Sequence, residues 1–355
     1  MLTKATASRR RQRRRSAFVA LSVISARDLI RNPQTGFALL FMFGFYLLVI
    51  VAIEASFTMN RPEPVVAVVA VPGAEASSFL DILENNGIDA SMSESERPLT
   101  GGVNAVVTMN ADKASVILEA EKSPGWQDIW HSLRVSGYMG SEITVVDTVG
   151  DHKTDFLRHN LGTALALGFM AIAFIGTAVP LVSMRERGIL RLFGTTPLPR
   201  ASLLASQLPI KMVLGLAEAA LVIGIALSLN YVDAIHTGRL FLTMLLSLTM
   251  LLAFGLLFAT RSRSAEATQQ TMAMLPILLI APAGGVFPLD DLPTFLIVIC
   301  NMFPTTWVVA AISADIADIE AFTSLPILWL LMLAVSAVVF FVASRRFQWD
   351  QGDIR

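Results

Sequence analysis

Asn160–Met184 reads NLGTALALGFMAIAFIGTAVPLVSM, 25 residues without one Asp, Glu, Lys, Arg or His. A helix needs about 20 mainly apolar residues to cross ~30 Å of hydrocarbon, so this run is long enough to span a membrane. Similar runs lie on both sides of it. Phe37–Ile53 is charge-free over 17 residues, and Leu240–Thr260 is charge-free over 21, between Arg239 and Arg261. Met212–Val232 is interrupted only by Glu218. Ala267–Leu289 and Leu292–Ala314 follow, separated only by Asp290 and Asp291, and Ala321–Ser344 is the last.

The composition agrees. Of 355 residues, 54% are hydrophobic and 15% charged, against about 25% charged in an average soluble domain. A soluble fold of this length has too little interior for so much apolar surface, which excludes a soluble enzyme. The single cysteine, Cys300, rules out an internal disulfide and a CxxC metal site. Four scattered histidines argue against a histidine metal cluster, and no metal or catalytic residue is expected.

Charge fixes the expected topology. Lys4, Arg9, Arg10, Arg11, Arg13, Arg14 and Arg15 make the first 15 residues basic with no acid among them. Segments 1–36, 184–211, 261–270 and 345–355 together carry 19 of the 27 Lys and Arg. Gly284–Ser324 carries none, but holds Asp290, Asp291, Asp315, Asp318 and Glu320. Under the positive-inside rule both ends are cytoplasmic, so the number of crossings is even. Leu292–Ala314 contains Pro293, Asn301 and Pro304, a poor recipe for a straight helix. The expectation is therefore six transmembrane helices, with residues 284–304 forming a broken, re-entrant hairpin on the outer side. Such backbone is tolerated at membrane depth only where protein or water covers it.

Between the first span (37–53) and the rest of the membrane region (160–355), residues 56–158 have ordinary soluble composition. The β-branched run at 65–71 reads as a buried strand. Phe79, Ile82 and Leu83 keep helical spacing until Asn86-Gly87. Val103–Met109 and Ser115–Leu118 read as further strands. A small extracytoplasmic α/β domain is expected here.

Three stretches invite a mechanism. Ala17–Arg31 is predicted to be an interfacial helix within the cytoplasmic 1–36 segment. Arg27 and Arg31 share one face, and Phe18, Leu21, Ile24 and Leu29 can sink into lipid. It is either a plain anchor or a lever joining a cytoplasmic partner to the first span. The arginine cluster at 9–15 has no interleaved aromatics, and reads as an orientation signal for anionic headgroups rather than a nucleic-acid patch. The loop 184–211 is the most informative. Arg185, Glu186 and Arg187 cluster at the membrane exit, Ile189, Leu190, Leu192 and Phe193 make an apolar helix face, and Gly194 and Pro197 end it. A short amphipathic helix offered this way suits a groove on a partner, although a partnerless connecting loop has the same look. Within the spans, Glu218 lies about 10 Å beyond Lys211 at 1.5 Å per residue. It is either a structural hydrogen-bond anchor or a residue that handles substrate or protons. The small pairs Ala164/Gly168, Gly215/Ala219 and Ala220/Gly224 suit close helix packing, internal or at a dimer seam.

The pattern R-E-R-G-x-L-x-x-L/F-x-x-T-P at Arg185–Pro197 resembles the cytoplasmic loop of ABC-2 type transporter permeases. F-P-L-x-x-L-P…P-T-x-W at Phe287–Trp307 is similar to that family's outer re-entrant signature, and Arg27–Pro33 resembles its lead into the first span. The branch with a large first extracellular domain is the nearest in layout. The resemblance implies a permease that pairs with a second permease subunit, identical or not, and with separate ATP-binding subunits. Arg185, Glu186, Arg187, Ile189, Leu190 and Phe193 would then couple to the ATPase, and Arg27 and Arg31 would lie on the connecting helix. Phe287, Pro288, Pro293 and Pro304 would belong to the outer gate. The chain has no Gly-Lys pair and hence no phosphate-cradling P-loop, so ATP and magnesium would be held by the partner and no cofactor by this chain. The expected role is export of an amphipathic drug, lipid or peptide across a bacterial cytoplasmic membrane. The alternative is a non-transporting sensor that uses the extracytoplasmic domain.

Overall fold

The computed structural model describes residues 19–27, 40–41, 43–49, 52, 65–70, 76–93, 103–110, 113–118, 126–138, 143–147, 156–196, 198–228, 234–283, 293–316 and 321–349. Helix α1 covers residues 19–27, and α2 residues 40–41 and 43–49. The remainder of the expected first span, 37–53, lies outside the described residues.

Residues 65–147 hold a five-stranded sheet and two helices. In chain order come β1 (Val65–Ala70), α3 (Ala76–Asn85), β2 (Asp89–Met92), β3 (Ala105–Met109), β4 (Ala114–Leu118), α4 (Trp126–Val135) and β5 (Ile143–Asp147). The strand order is β2-β1-β3-β4-β5. β1 runs parallel to both β2 and β3, β4 is antiparallel to β3, and β5 is parallel to β4. Alternating residues Val66, Val68, Val107, Val116 and Val145 point to one buried face, the pleat having a period of two. Phe79 and Leu83 of α3 and Ile129 and Leu133 of α4 belong to the same core. Each helix stops at a glycine in the left-handed region, Gly87 at φ 76° and Gly137 at φ 103°, where a side chain would be strained. Asn86 of one helix end donates to Ser132 of the other helix at 3.1 Å.

The membrane segment begins with α5 (Phe156–Glu186), 31 residues or about 46 Å long. Then follow α6 (Ile189–Gly194), α7 (Arg200–Ser206), α8 (Leu208–Ser228), α9 (Ala234–Arg261), α10 (Ala265–Ile280), a 3-10 turn at Ala281–Ala283, α11 (Thr294–Asn301), α12 (Pro304–Ile316) and α13 (Leu325–Arg346). Among the described residues, four stretches are long and apolar enough to cross a membrane: Asn160–Glu186, Arg200–Ser228, Thr237–Arg261 and Leu325–Arg346. The chain is a multi-pass, mostly helical membrane protein.

Helix α5 is the centre, packing against α8, α9, α10 and α12, while α13 packs chiefly on α9. The α5–α9 seam is tight. A Cβ at Gly255 would fall 1.8 Å from the carbonyl oxygen of Ala173. Lipid offers no hydrophobic drive between helices, so small residues that let backbones meet are what bring them together.

Two of the expected segments meet helix ends among the described residues. Over the expected crossing 267–289, α10 has 16 residues, about 24 Å, and is followed by the 3-10 turn Ala281–Ala283, with 284–289 outside the described residues. The expected hairpin over 284–304 falls on a bend between two helices. Residues 284–292 lie outside the described residues; α11 and α12 meet at 93°, as in a broken span or a re-entrant loop, and α12 runs on to Ile316. Its buried residues include Val308, Ala311 and Ile312, whereas α11 buries none.

Candidate functional site

The sequence-predicted residues fall at one end of the bundle, at mid-height and at the opposite end. At the first, Arg185 turns inward. It is 3% exposed; its Nη1 donates to the carbonyls of Ala259 at 2.9 Å and Ser262 at 3.0 Å, and its Nε to that of Gln348 at 3.3 Å. The last carbonyls of a helix have no partner within it and form the negative end of its dipole. Arg185 therefore seals the end of α9 and holds the chain after α13, with its guanidinium 5.3 Å from the Phe347 ring centroid.

Glu186 is exposed and accepts from the backbone N–H of Ala265 at 3.0 Å. It adds to the Ser264 cap, whose Oγ accepts from Ala267 at 3.3 Å, and places negative charge where the α10 dipole is positive. Gly188, at φ 73°, turns the chain from α5 into α6. In α6, Leu190 is buried and Phe193 half-buried against the core, while Ile189 and Leu192 are 39% and 69% exposed. Arg187 is exposed beside them. A Cβ at Gly194 would sit 3.2 Å from Trp349, whose ring meets Phe347 edge-on with centroids 5.4 Å apart. The six residues expected on one docking surface are thus divided. Arg185 and Leu190 are internal, Glu186 caps a neighbouring helix, Phe193 is part of the packing, and Arg187 and Ile189 face outward.

Helix α1 reaches the same neighbourhood, since Ser25 donates to the Gln207 side chain at 2.9 Å. Arg27 is exposed; Arg31 lies outside the described residues.

At mid-height, Glu218 stands halfway along α8 and is 2% exposed. Neither carboxylate oxygen has a hydrogen-bond partner. Among the described residues no group of three or more His, Cys, Asp or Glu could hold a metal.

At the opposite end, Pro293 precedes α11 as its N-cap and Pro304 opens α12; Phe287 and Pro288 lie outside the described residues. The Pro-Thr-Thr-Trp sequence at 304–307 stitches the break. Thr305 donates to the Leu279 carbonyl at 2.9 Å, Thr306 reaches Cys300 at 2.7 Å and Pro282 at 3.2 Å, and the Trp307 indole donates to Asn301 at 2.8 Å. Carbonyls stranded where helices end are thereby satisfied by side chains, the condition for irregular backbone inside a membrane protein. The ion pair of Arg239 on α9 with the fully buried Asp315 side chain on α12 ties this element to the bundle. Sequence reading marked both charges without pairing them.

A family model described as ABC-2 family transporter protein matches residues 134–346, more than half of the chain. The match runs from α4 to the last residue of α13, so β1–β4 precede it. No curated protein matches the sequence.

Proposed function

The chain belongs to the ABC-2 family of transporter proteins, and on that premise we propose that it is the permease subunit of an exporter that dimerises and works with separate ATP-binding subunits. ATP and magnesium belong to those subunits. The cargo is an amphipathic drug, lipid or peptide, moved outward across a bacterial cytoplasmic membrane. Both termini and α6 are cytoplasmic in this reading, and the five-stranded domain and the α11–α12 break are on the outer side.

The observation that carries the proposal is the division of labour around α6. A six-residue helix offers Ile189 and Leu192 outward, with Arg187 exposed in the turn before it, while Leu190 packs inward and Arg185 locks the end of α5 to α9 and the α13 terminus. An apolar pair flanked by cationic side chains on a fixed base suits a groove on a soluble partner. A helix fastened in this way can pass a displacement to α5, α9 and α10 together.

The test is co-purification of the permease with its ATPase, with ATP hydrolysis read against substrate transport. Arg187→Glu combined with Leu192→Ala is expected to leave the permease in the membrane and stable, and to cut coupled activity by about tenfold or more, as loss of a hot-spot contact would. Unchanged coupling in that variant would move the docking surface elsewhere.

A further inference from the structure

The carboxyl group of Glu218 lies where α2, α5 and α8 meet. On α5 it faces Gly168: a Cβ there would come 2.4 Å from its Oε2, and 3.1 Å from the Cβ of Phe43 on α2. Phe43 is itself 3% exposed. Glycine at 168 is therefore what leaves space for the carboxyl oxygen. No basic residue stands near it on these helices. Asn160–Met184 has none, residues 40–49 have none, and Lys211 lies seven positions away on α8, about 10 Å along the axis.

A buried carboxyl with both oxygens unpartnered is costly, and native structures leave few such groups without an outside partner. Within a membrane span such an acid points to a functional partner by default. What fits beside it is limited by its walls. An alkali ion stripped of water requires several oxygen ligands, and Gly168 and Phe43 bring none from their side chains. An organic cation requires one counter-charge and apolar walls, which the Glu218 carboxyl, ionising as the cation binds, and the Phe43 side chain can supply.

We propose that Glu218 is a cation-recognition point in the transport path, taking the positively charged group of an organic cargo between α2, α5 and α8. The proposal rests on the transporter reading above and narrows its cargo to amphipathic cations.

The experiment measures tetraphenylphosphonium binding to the purified full-length chain in nanodiscs, with uncharged triphenylphosphine oxide as the comparison. Wild type is expected to prefer the cation. Glu218→Gln should weaken cation binding about tenfold or more, the scale of losing one partner of a buried charge pair, while leaving the uncharged probe unaffected. Gly168→Ala, which puts a methyl against the carboxyl, should weaken it as well, and Glu218→Asp, which keeps the charge, should retain most of it. Equal binding by wild type and Glu218→Gln, with both monodisperse, would overturn the proposal. So would displacement of the phosphonium by sodium, which would make this an alkali-ion site. Because the binding requires no ATPase, cation binding by a chain that recruits no ATP-binding subunit would sink the transport reading and leave the site standing. The reverse result would sink only the site.

Discussion

Helices α5 and α13 are alike in sequence and opposite in place. Both are long apolar runs bordered by arginine, yet 83% of the membrane window of α5 is buried within the protein and only 17% of that of α13. Apolar character does not separate them, because lipid and protein interior are equally hospitable to leucine. Side-chain size does. Along α5, Ala164, Ala166, Ala171, Ala173 and Ala178 are buried on several sides, and Gly162 and Gly168 face Ser313 and Glu218 closely. On α13 only a stripe containing Leu328, Met332, Ser336 and Ala343 is covered, with the Trp329 indole donating to Thr243 at 2.9 Å and Ser247 donating to the Met332 sulfur at 3.7 Å. Leu330, Leu333, Val338 and Phe341 remain exposed. In a membrane, the helix that neighbours can approach closely becomes the centre.

The contrast breaks most readily at the α5–α9 seam. Gly255→Leu drives a side chain into the Ala173 carbonyl, and is expected to cost more than about 3 kcal/mol, seen as loss of monodisperse protein on size exclusion. Next in size is Arg185→Met, which removes the donor from the Ala259, Ser262 and Gln348 carbonyls at the α6 end of the bundle. About 2–4 kcal/mol should be lost, read as a lowered Tm, and Arg187→Met should change it little. An equal drop for both arginines would mean that the inward and outward roles are misassigned. Smallest is Leu330→Ala on the exposed face of α13, expected to stay within about 0.5 kcal/mol. A larger loss there, measured by the same unfolding assay, would show that another protein surface covers α13.

Much of this plan was legible in the residues. Long charge-free runs mark α5, α9 and α13 because hydrocarbon demands them, a run broken only by Glu218 marks most of α8, Gly194 marks the end of α6, and Pro304 marks the break before α12. In residues 65–147 the β-branched runs reveal β1, β3 and β4. The edge strand β2, Asp-Ala-Ser-Met, has no such run; β5 and α4 were missed as well. The candidate site was less readable. A basic residue next to an apolar run signals the membrane exit whether it faces water or, like Arg185, seals another helix end. Its acceptors lie 74, 77 and 163 positions away, and the Arg239–Asp315 pair is separated by 76. Such pairings are set by how helices stack, which local periodicity does not encode. The end of α10 is hard to read for a related reason: the run stays apolar past Ile280, and hydropathy does not register that Ala-Pro-Ala tightens into a 3-10 turn.

Cys300, half-buried on α11 beside the bend, is the chain's sole sulfhydryl. A maleimide spin label or fluorophore will therefore attach at one address per polypeptide without any prior mutagenesis. That address lies within the stitched break, where Thr306 holds the Cys300 carbonyl. The protein arrives with its own spectroscopic handle at the bend between α11 and α12.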